Sequence, residues 1–246
     1  MNGLYAVYRR ELAAYFQTPL AYVFLFVFAA AAPAFAFCFG RFFDTNRADL
    51  APLFYYLPWL LIVLMPALAM RCWAEERDRG TLEFLMALPI PLWASTGGKF
   101  LAAWSVAVLA LILTVPMWFA VNYLGSPDNA AIATAYLGAI LLAGTYLALG
   151  QAMSATTSNQ VVAFVLGVSL SFLVTLAGHS FVLALLTGSV MPGVLEFVAS
   201  LSLLERYEGM RYGVIALNDL VYFLGLILVS LAISAVLIAE RRGGGR

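Results

Sequence analysis

Few side chains in this sequence could do covalent chemistry or hold a metal: one histidine, His179, and two cysteines, Cys38 and Cys72. Neither cysteine has a neighbour at metal-ligand spacing, so both read as packing residues, and one histidine cannot build a multi-histidine metal site. The Glu75-Glu76 pair approximates the EExxxR pattern of metal-dependent intramembrane proteolysis, but position 80 is Gly80 and the arginine stands at Arg79. Ser169, in Gly167-Val168-Ser169, and His179 could form a serine–histidine pair, yet both fall in one apolar segment, whereas such pairs usually converge from two elements. A phosphate-binding loop fails too. Gly98-Lys99 is followed by Phe100, and Trp93 occupies the position five before Gly98 where a glycine is required. The sequence therefore predicts no enzyme, and no metal or cofactor bound by this chain; if ATP drives it, ATP and Mg sit on a separate polypeptide.

The elements that must carry these residues follow from composition. The chain has 246 residues, 64% hydrophobic and 11% charged, with a net charge of zero and a mean hydropathy of +0.95. A soluble domain of this length needs far more charge to cover its surface, and zero net charge gives no reason to expect nucleic acid. Uncharged runs at Pro19–Gly40, Leu50–Met70, Phe100–Pro127, Asn129–Leu195 and Leu220–Ala239 are each long enough to cross ~30 Å of hydrocarbon at about 1.5 Å per residue. The polar patch Ser154–Gln160 divides the longest run, and Gly125–Asn129 breaks the chain before it. The expected fold is all-α: a single polytopic membrane domain over 1–246, with six transmembrane helices near 20–40, 52–72, 99–122, 132–153, 161–183 and 217–239.

Three further segments have character of their own. Leu4, Val7, Tyr8, Leu12, Tyr15 and Phe16 share one side of a helix over 2–17, which reads as an amphipathic helix in the membrane interface, in contact with lipid. In 184–216, too long for a simple turn, Phe197, Leu201, Leu204 and Glu208 follow helical spacing after Pro192, and one or two short outer helices are expected. Prolines 33, 58, 66 and 116 fall within spans and should kink them. With the N-terminus inside, the inner segments hold nine basic residues (Arg9, Arg10, Arg71, Arg77, Arg79, Lys99, Arg241, Arg242, Arg246) against four outside (Arg41, Arg47, Arg206, Arg211). The positive-inside rule then places both termini in the cytoplasm.

The inner segment 75–91 concentrates charge: Glu75, Glu76, Arg77, Asp78 and Arg79 in one block, then Gly80-Thr81, then Glu83. The block should extend the second span into water, Gly80 should end it, and Thr81 is a candidate cap for the next, short helix. Leu82, Leu85 and Met86 form an apolar stripe at i, i+3, i+4, and Pro89 and Pro91 stop the helix. A stripe so placed must be buried against the membrane surface or against a partner protein.

The run AEERDRGTLEFLMALP resembles the signature after the second span of ABC-type-2 (exporter-like) transporter permease subunits. PLAYVFLFVF, LPWLLIVLMPALAMRCWAEE, GKFLAA, SNQVVAF and LSLLERYEGMRYGVIALNDLVYFLGL are similar to the gliding-motility/copper-enzyme-maturation branch, although that branch commonly has His-Phe where this chain has Arg206-Tyr207. The resemblance implies a permease subunit that forms a pathway with a second permease chain, in a homo- or heterodimer. It also implies a coupling helix that docks on a cytoplasmic ABC ATPase through Glu75, Glu76, Gly80, Thr81, Leu82, Glu83, Phe84, Leu85 and Met86. Residues that could line the route are Phe54, Tyr55, Tyr56 and Trp59 on the second span and Ser169, Ser171, Thr175 and His179 on the fifth. Asp219 could pair with Arg206 or Arg211. The expected location is the inner (plasma) membrane of a bacterium, with an extracytoplasmic auxiliary protein as a further possible partner. A membrane scaffold for an extracytoplasmic complex, without transport of its own, is the alternative.

Overall fold

Apolar runs bounded by glycine, proline and polar turns become helices because only a helix satisfies its own backbone in hydrocarbon. The computed structural model describes residues 3–40, 42, 48–87, 89–178, 193 and 201–243, and not the side chains of 86, 87 and 241–243. Among the described residues the regular structure is all helical. The helices are α1 (Gly3–Gln17), α2 (Pro19–Ala34, prolonged by a π-turn over Phe35–Phe39), α3 (Ala51–Ala69), α4 (Arg71–Asp78), α5 (Leu82–Ala87), α6 (Leu92–Ile112), α7 (Val115–Leu124), α8 (Asn129–Ser154), α9 (Gln160–Leu176), α10 (Leu203–Arg211) and α11 (Leu217–Gly243).

Five stretches are long and apolar enough to cross a membrane: Pro19–Phe39, Ala51–Asp78, Leu92–Leu124, Asn129–Ser154 and Leu217–Glu240. Where a sixth was expected, at 161–183, the structure has the apolar α9 of 17 residues; His179 and the rest of that stretch lie outside the described residues. Of the expected short helices in 184–216, α10 is present, and the part before residue 201, Gly193 excepted, lies outside the described residues.

α8 is the central post. It packs against α3, α6, α9, α10 and α11, and Tyr146, Leu142, Ala143 and Ala148 on it are wholly buried. Its start is capped by Asp128, whose Oδ1 accepts from the amides of Ala130 and Ala131 at 3.0 and 3.1 Å. Asn159 caps α9 in the same way, accepting from Val161 and Val162. The third expected span departs from its sequence outline at both ends. Helix α6 begins at Leu92, not near Lys99, because Lys99 is buried among carboxylates and does not mark the edge of the apolar region. The span then breaks at Leu113-Thr114, where Pro116 sits in the first turn of α7.

The apolar stripe of α1 is covered largely by the chain itself. Val7 and Tyr15 are buried, Leu4 faces Gly97, and Tyr8 Oη lies 3.2 Å from Ser105 Oγ on α6. Gly98 permits this approach: a Cβ there would stand 2.9 Å from Val7 Cβ and 3.0 Å from the Leu4 carbonyl oxygen. Gly98→Leu is therefore expected to push α1 off α6, an overpacking cost of about 1–3 kcal/mol, visible as faster proteolysis within residues 3–17.

Candidate functional site

The charged segment after α3 forms an elbow. The chain passes from α3 to α4 through Met70, which keeps a helical backbone and bonds its amide to the Pro66 carbonyl at 2.8 Å. The joint is held from α8. Ser154 Oγ donates to the Met70 carbonyl at 2.8 Å and accepts from the amides of Trp73 and Ala74 at 3.1 and 3.0 Å. Arg77 adds a 2.6 Å bond to the Ala155 carbonyl. Ser154→Ala would strip a partner from three backbone groups in a buried place, at about 1–3 kcal/mol for a group left unsatisfied; the expected result is a lower melting temperature in detergent.

Gly80 then ends α4 as its sequence position suggests. It takes φ +67°, its amide bonds to the Arg77 carbonyl, and the Thr81 amide bonds to the Glu76 carbonyl, the paired bonds of a Schellman turn. Thr81 does not use its side chain to cap α5. Its Oγ1 donates back to the Glu76 carbonyl at 3.2 Å, closing the helix before it.

Of the stripe on α5, Leu85 is buried and Leu82 partly so, both against the chain itself. Leu85 packs with Cys72, Trp73, Ala155 and Ile238, and Leu82, Leu92 and Leu237 pack around them. Phe84, off the stripe, is exposed at 77%. Glu83 is exposed beside it, and the Met86 side chain lies outside the described residues.

Glu75 and Glu76 face inward. Glu75 is held by Arg71 at 2.6 Å and Arg79 at 2.7 Å. Glu76 meets Lys99 at 2.8 Å and Arg10 at 3.4 Å. Lys99, 2% exposed, also reaches Glu11 on α1 at 3.2 Å, and its ammonium lies 5.2 Å from the centre of the Trp73 ring. Burial alone would raise the Glu11 carboxyl, but the charges and hydrogen bonds of Lys99 and Arg10 outweigh it and hold the group below its ordinary value. One buried cation thus ties α1, α4 and α6 together. Sequence reading missed this centre; the signal available was a lone lysine behind tandem glycines, which asks for close helices and carboxylates.

Between α1 and α4–α5 lies a cleft of about 670 Å³, with Arg10, Tyr15, Cys72, Arg79, Thr81, Phe84, Leu85 and Lys99 among its lining. Tyr15 Oη donates to the Leu68 carbonyl at 3.0 Å, and burial, then Cys72, pushes its hydroxyl well above the ordinary value.

The described residues among those named for a route, His179 excepted, have separate surroundings. Phe54 is buried edge-on against Tyr136. Tyr56 Oη donates to the Phe39 carbonyl, Tyr55 is half exposed beneath Arg211, and Trp59 meets Phe172. Ser169 is exposed, whereas Ser171 and Thr175 are fully buried, with Thr175 Oγ1 2.7 Å from Tyr146 Oη. Asp219 pairs with Arg206 at 3.0 Å. Among the described residues no group of acids, histidines or cysteines could hold a metal.

These features define a polytopic helical membrane protein with a braced, partly charged elbow after its second long helix. The family model for ABC-2 family transporter protein matches residues 56–241, and the chain belongs to that family: it is a membrane permease of an ABC transporter. No curated protein matches it.

Proposed function

We propose that this chain is the permease half of a transporter whose ATP is hydrolysed by separate cytoplasmic ATPase subunits, which bind the ATP and Mg that this chain does not. Two permease chains form the pathway in a bacterial inner membrane, with both termini cytoplasmic and the elbow facing the motor. The observation that supports the reading best is Phe84, a large aromatic held outward on a short helix whose opposite side is fixed to the chain's own core. Exposed aromatics of this kind are common anchors of protein interfaces. The near-continuous helix of α3 and α4, braced at Met70 by Ser154, would carry a push on α5 into the bilayer. Within the family, the chain resembles the gliding-motility/copper-enzyme-maturation branch, and an extracytoplasmic auxiliary protein fits that branch.

The docking role belongs to Phe84, with Glu83 exposed beside it. Leu82, Leu85, Glu75 and Glu76 support the elbow from behind. The test is co-expression with the ABC ATPase subunit of the same transporter, purification in mild detergent, and a comparison with Phe84→Asp. Wild type should co-elute with the ATPase, and Phe84→Asp should weaken the complex about 10-fold or more with the same melting temperature. Undiminished co-elution of Phe84→Asp would place docking elsewhere.

A further inference from the structure

The sequence of the elbow is rich in acids, which by itself would call for a basic partner. The folded elbow reverses that sign. The three carboxylates that line the cleft, Glu11, Glu75 and Glu76, are 14–18% exposed, and each lies against two cations. Four cations line the same cleft: Arg10, Arg71, Arg79 and Lys99. Lys99 is sealed inside at 2% exposure, while Arg10 and Arg79 stand at the mouth at 50% and 68%. The exposed acids nearby, Asp78 and Glu83, do not line the cleft. Four cations against three carboxylates leave the cleft one positive charge in excess, and its most exposed charged groups are the guanidinium groups of Arg10 and Arg79, each paired on one side with a carboxylate. Arginines so placed favour a carboxylate-bearing face.

We infer that the cleft between α1 and α4–α5 receives an acidic segment of the ATPase, its carboxylates meeting Arg10 and Arg79 while Phe84 enters an apolar pocket beside them. This rests on the docking role proposed above. Occupancy would also bear on the Lys99 centre, because Arg10 shares Glu11 and Glu76 with Lys99.

The experiment measures affinity between the purified full-length chain in nanodiscs and the co-expressed ATPase over a range of salt. Variants are Arg10→Glu, Arg79→Glu, the off-cleft control Asp78→Lys, and Phe84→Asp. Thermal melts accompany each one. Arg10→Glu and Arg79→Glu should each weaken binding about tenfold and flatten its salt dependence, with Asp78→Lys close to wild type. Because the two arginines lie on different helices, a folding defect in one variant leaves the other as the test. If wild type binds and Phe84→Asp is weakened, but both arginine variants bind as wild type or tighter, the inference is overturned and the docking role stands. If the arginine variants instead lose only affinity for protein-free anionic-lipid vesicles, the cleft is a headgroup site and the inference again fails. If wild type binds no ATPase, both fall together.

Discussion

Lys99→Met is expected to loosen α1 from the bundle while leaving the long helices assembled. The ammonium is the common counter-charge of Glu11 and Glu76 and is itself almost wholly buried. Removing one member of a buried ion pair leaves an uncompensated charge and typically costs about 3–5 kcal/mol. The low end applies here, because both carboxylates keep some exposure and Arg10 remains beside them. Methionine preserves most of the stem's packing against Trp73, so the loss reports charge and not volume. Adding Glu11→Gln to Lys99→Met should recover part of the loss, since one stranded carboxylate disappears. A double-mutant cycle in melting temperature measures the coupling. If the two substitutions simply add, Lys99 and Glu11 do not interact and the centre is not a coupled one.

The same centre predicts a pH dependence with a definite sign. The folded chain holds the Glu11 carboxyl below its ordinary value of 4.5. A depressed carboxylate stabilises the fold above its unfolded pKa, and that contribution is lost as pH falls through the folded value. Wild type should therefore lose melting temperature on acidification below about pH 4.5 more steeply than Glu11→Gln. Equal acid limbs in the two proteins would remove Glu11 from the stabilising set.

The long helices were legible because hydrocarbon imposes one solution on a long apolar run, and the turn at Gly80-Thr81 was legible because its bonds are local. The charged elbow was legible as a place in the chain and not as a surface. Which way Glu76 points depends on Lys99, 23 residues away, and on Glu11, 88 residues from Lys99. The brace on Met70 comes from Ser154, 84 residues on, in a patch that reads only as a polar turn. The α5 stripe identifies Leu82 and Leu85 as residues to be covered, but periodicity cannot say that Trp73 and Ile238 do the covering. Phe84, off the stripe, is thereby left as the exposed aromatic. Local pattern specifies helices and turns; the sign and exposure of a charged elbow come from which distant helices close over it.

Gly150→Leu and Gly225→Leu, one substitution at two positions, should move stability in opposite directions. Both glycines sit inside long helices, α8 and α11, and in each the leucine gains most of the roughly 0.8–1 kcal/mol of helix propensity that separates glycine from alanine. At Gly225 an added Cβ meets nothing within 4 Å, so that gain is retained. At Gly150 the Cβ would fall 2.8 Å from Ala69 Cβ and 3.2 Å from Pro66 Cα. Neither neighbour is the far end of a flexible chain, so backbone must shift. Gly167 on α9 closes on the same spot, its own Cβ position lying 3.0 Å from Pro66 Cβ and 3.3 Å from Gly150 Cα. Three helices thus meet at a point that admits no side chain, and overpacking such a point costs about 1–3 kcal/mol or more. The contact stands one turn before Met70, and Pro66 supplies the carbonyl that receives the Met70 amide. Strain there should tilt α4 as well as destabilise the bundle, so Gly150→Leu should lower both melting temperature and affinity for the ATPase. A destabilised variant that still binds the ATPase as wild type would show that α5 docks independently of how α3 and α8 are held, and the near-continuous α3–α4 helix would then not be what carries the push.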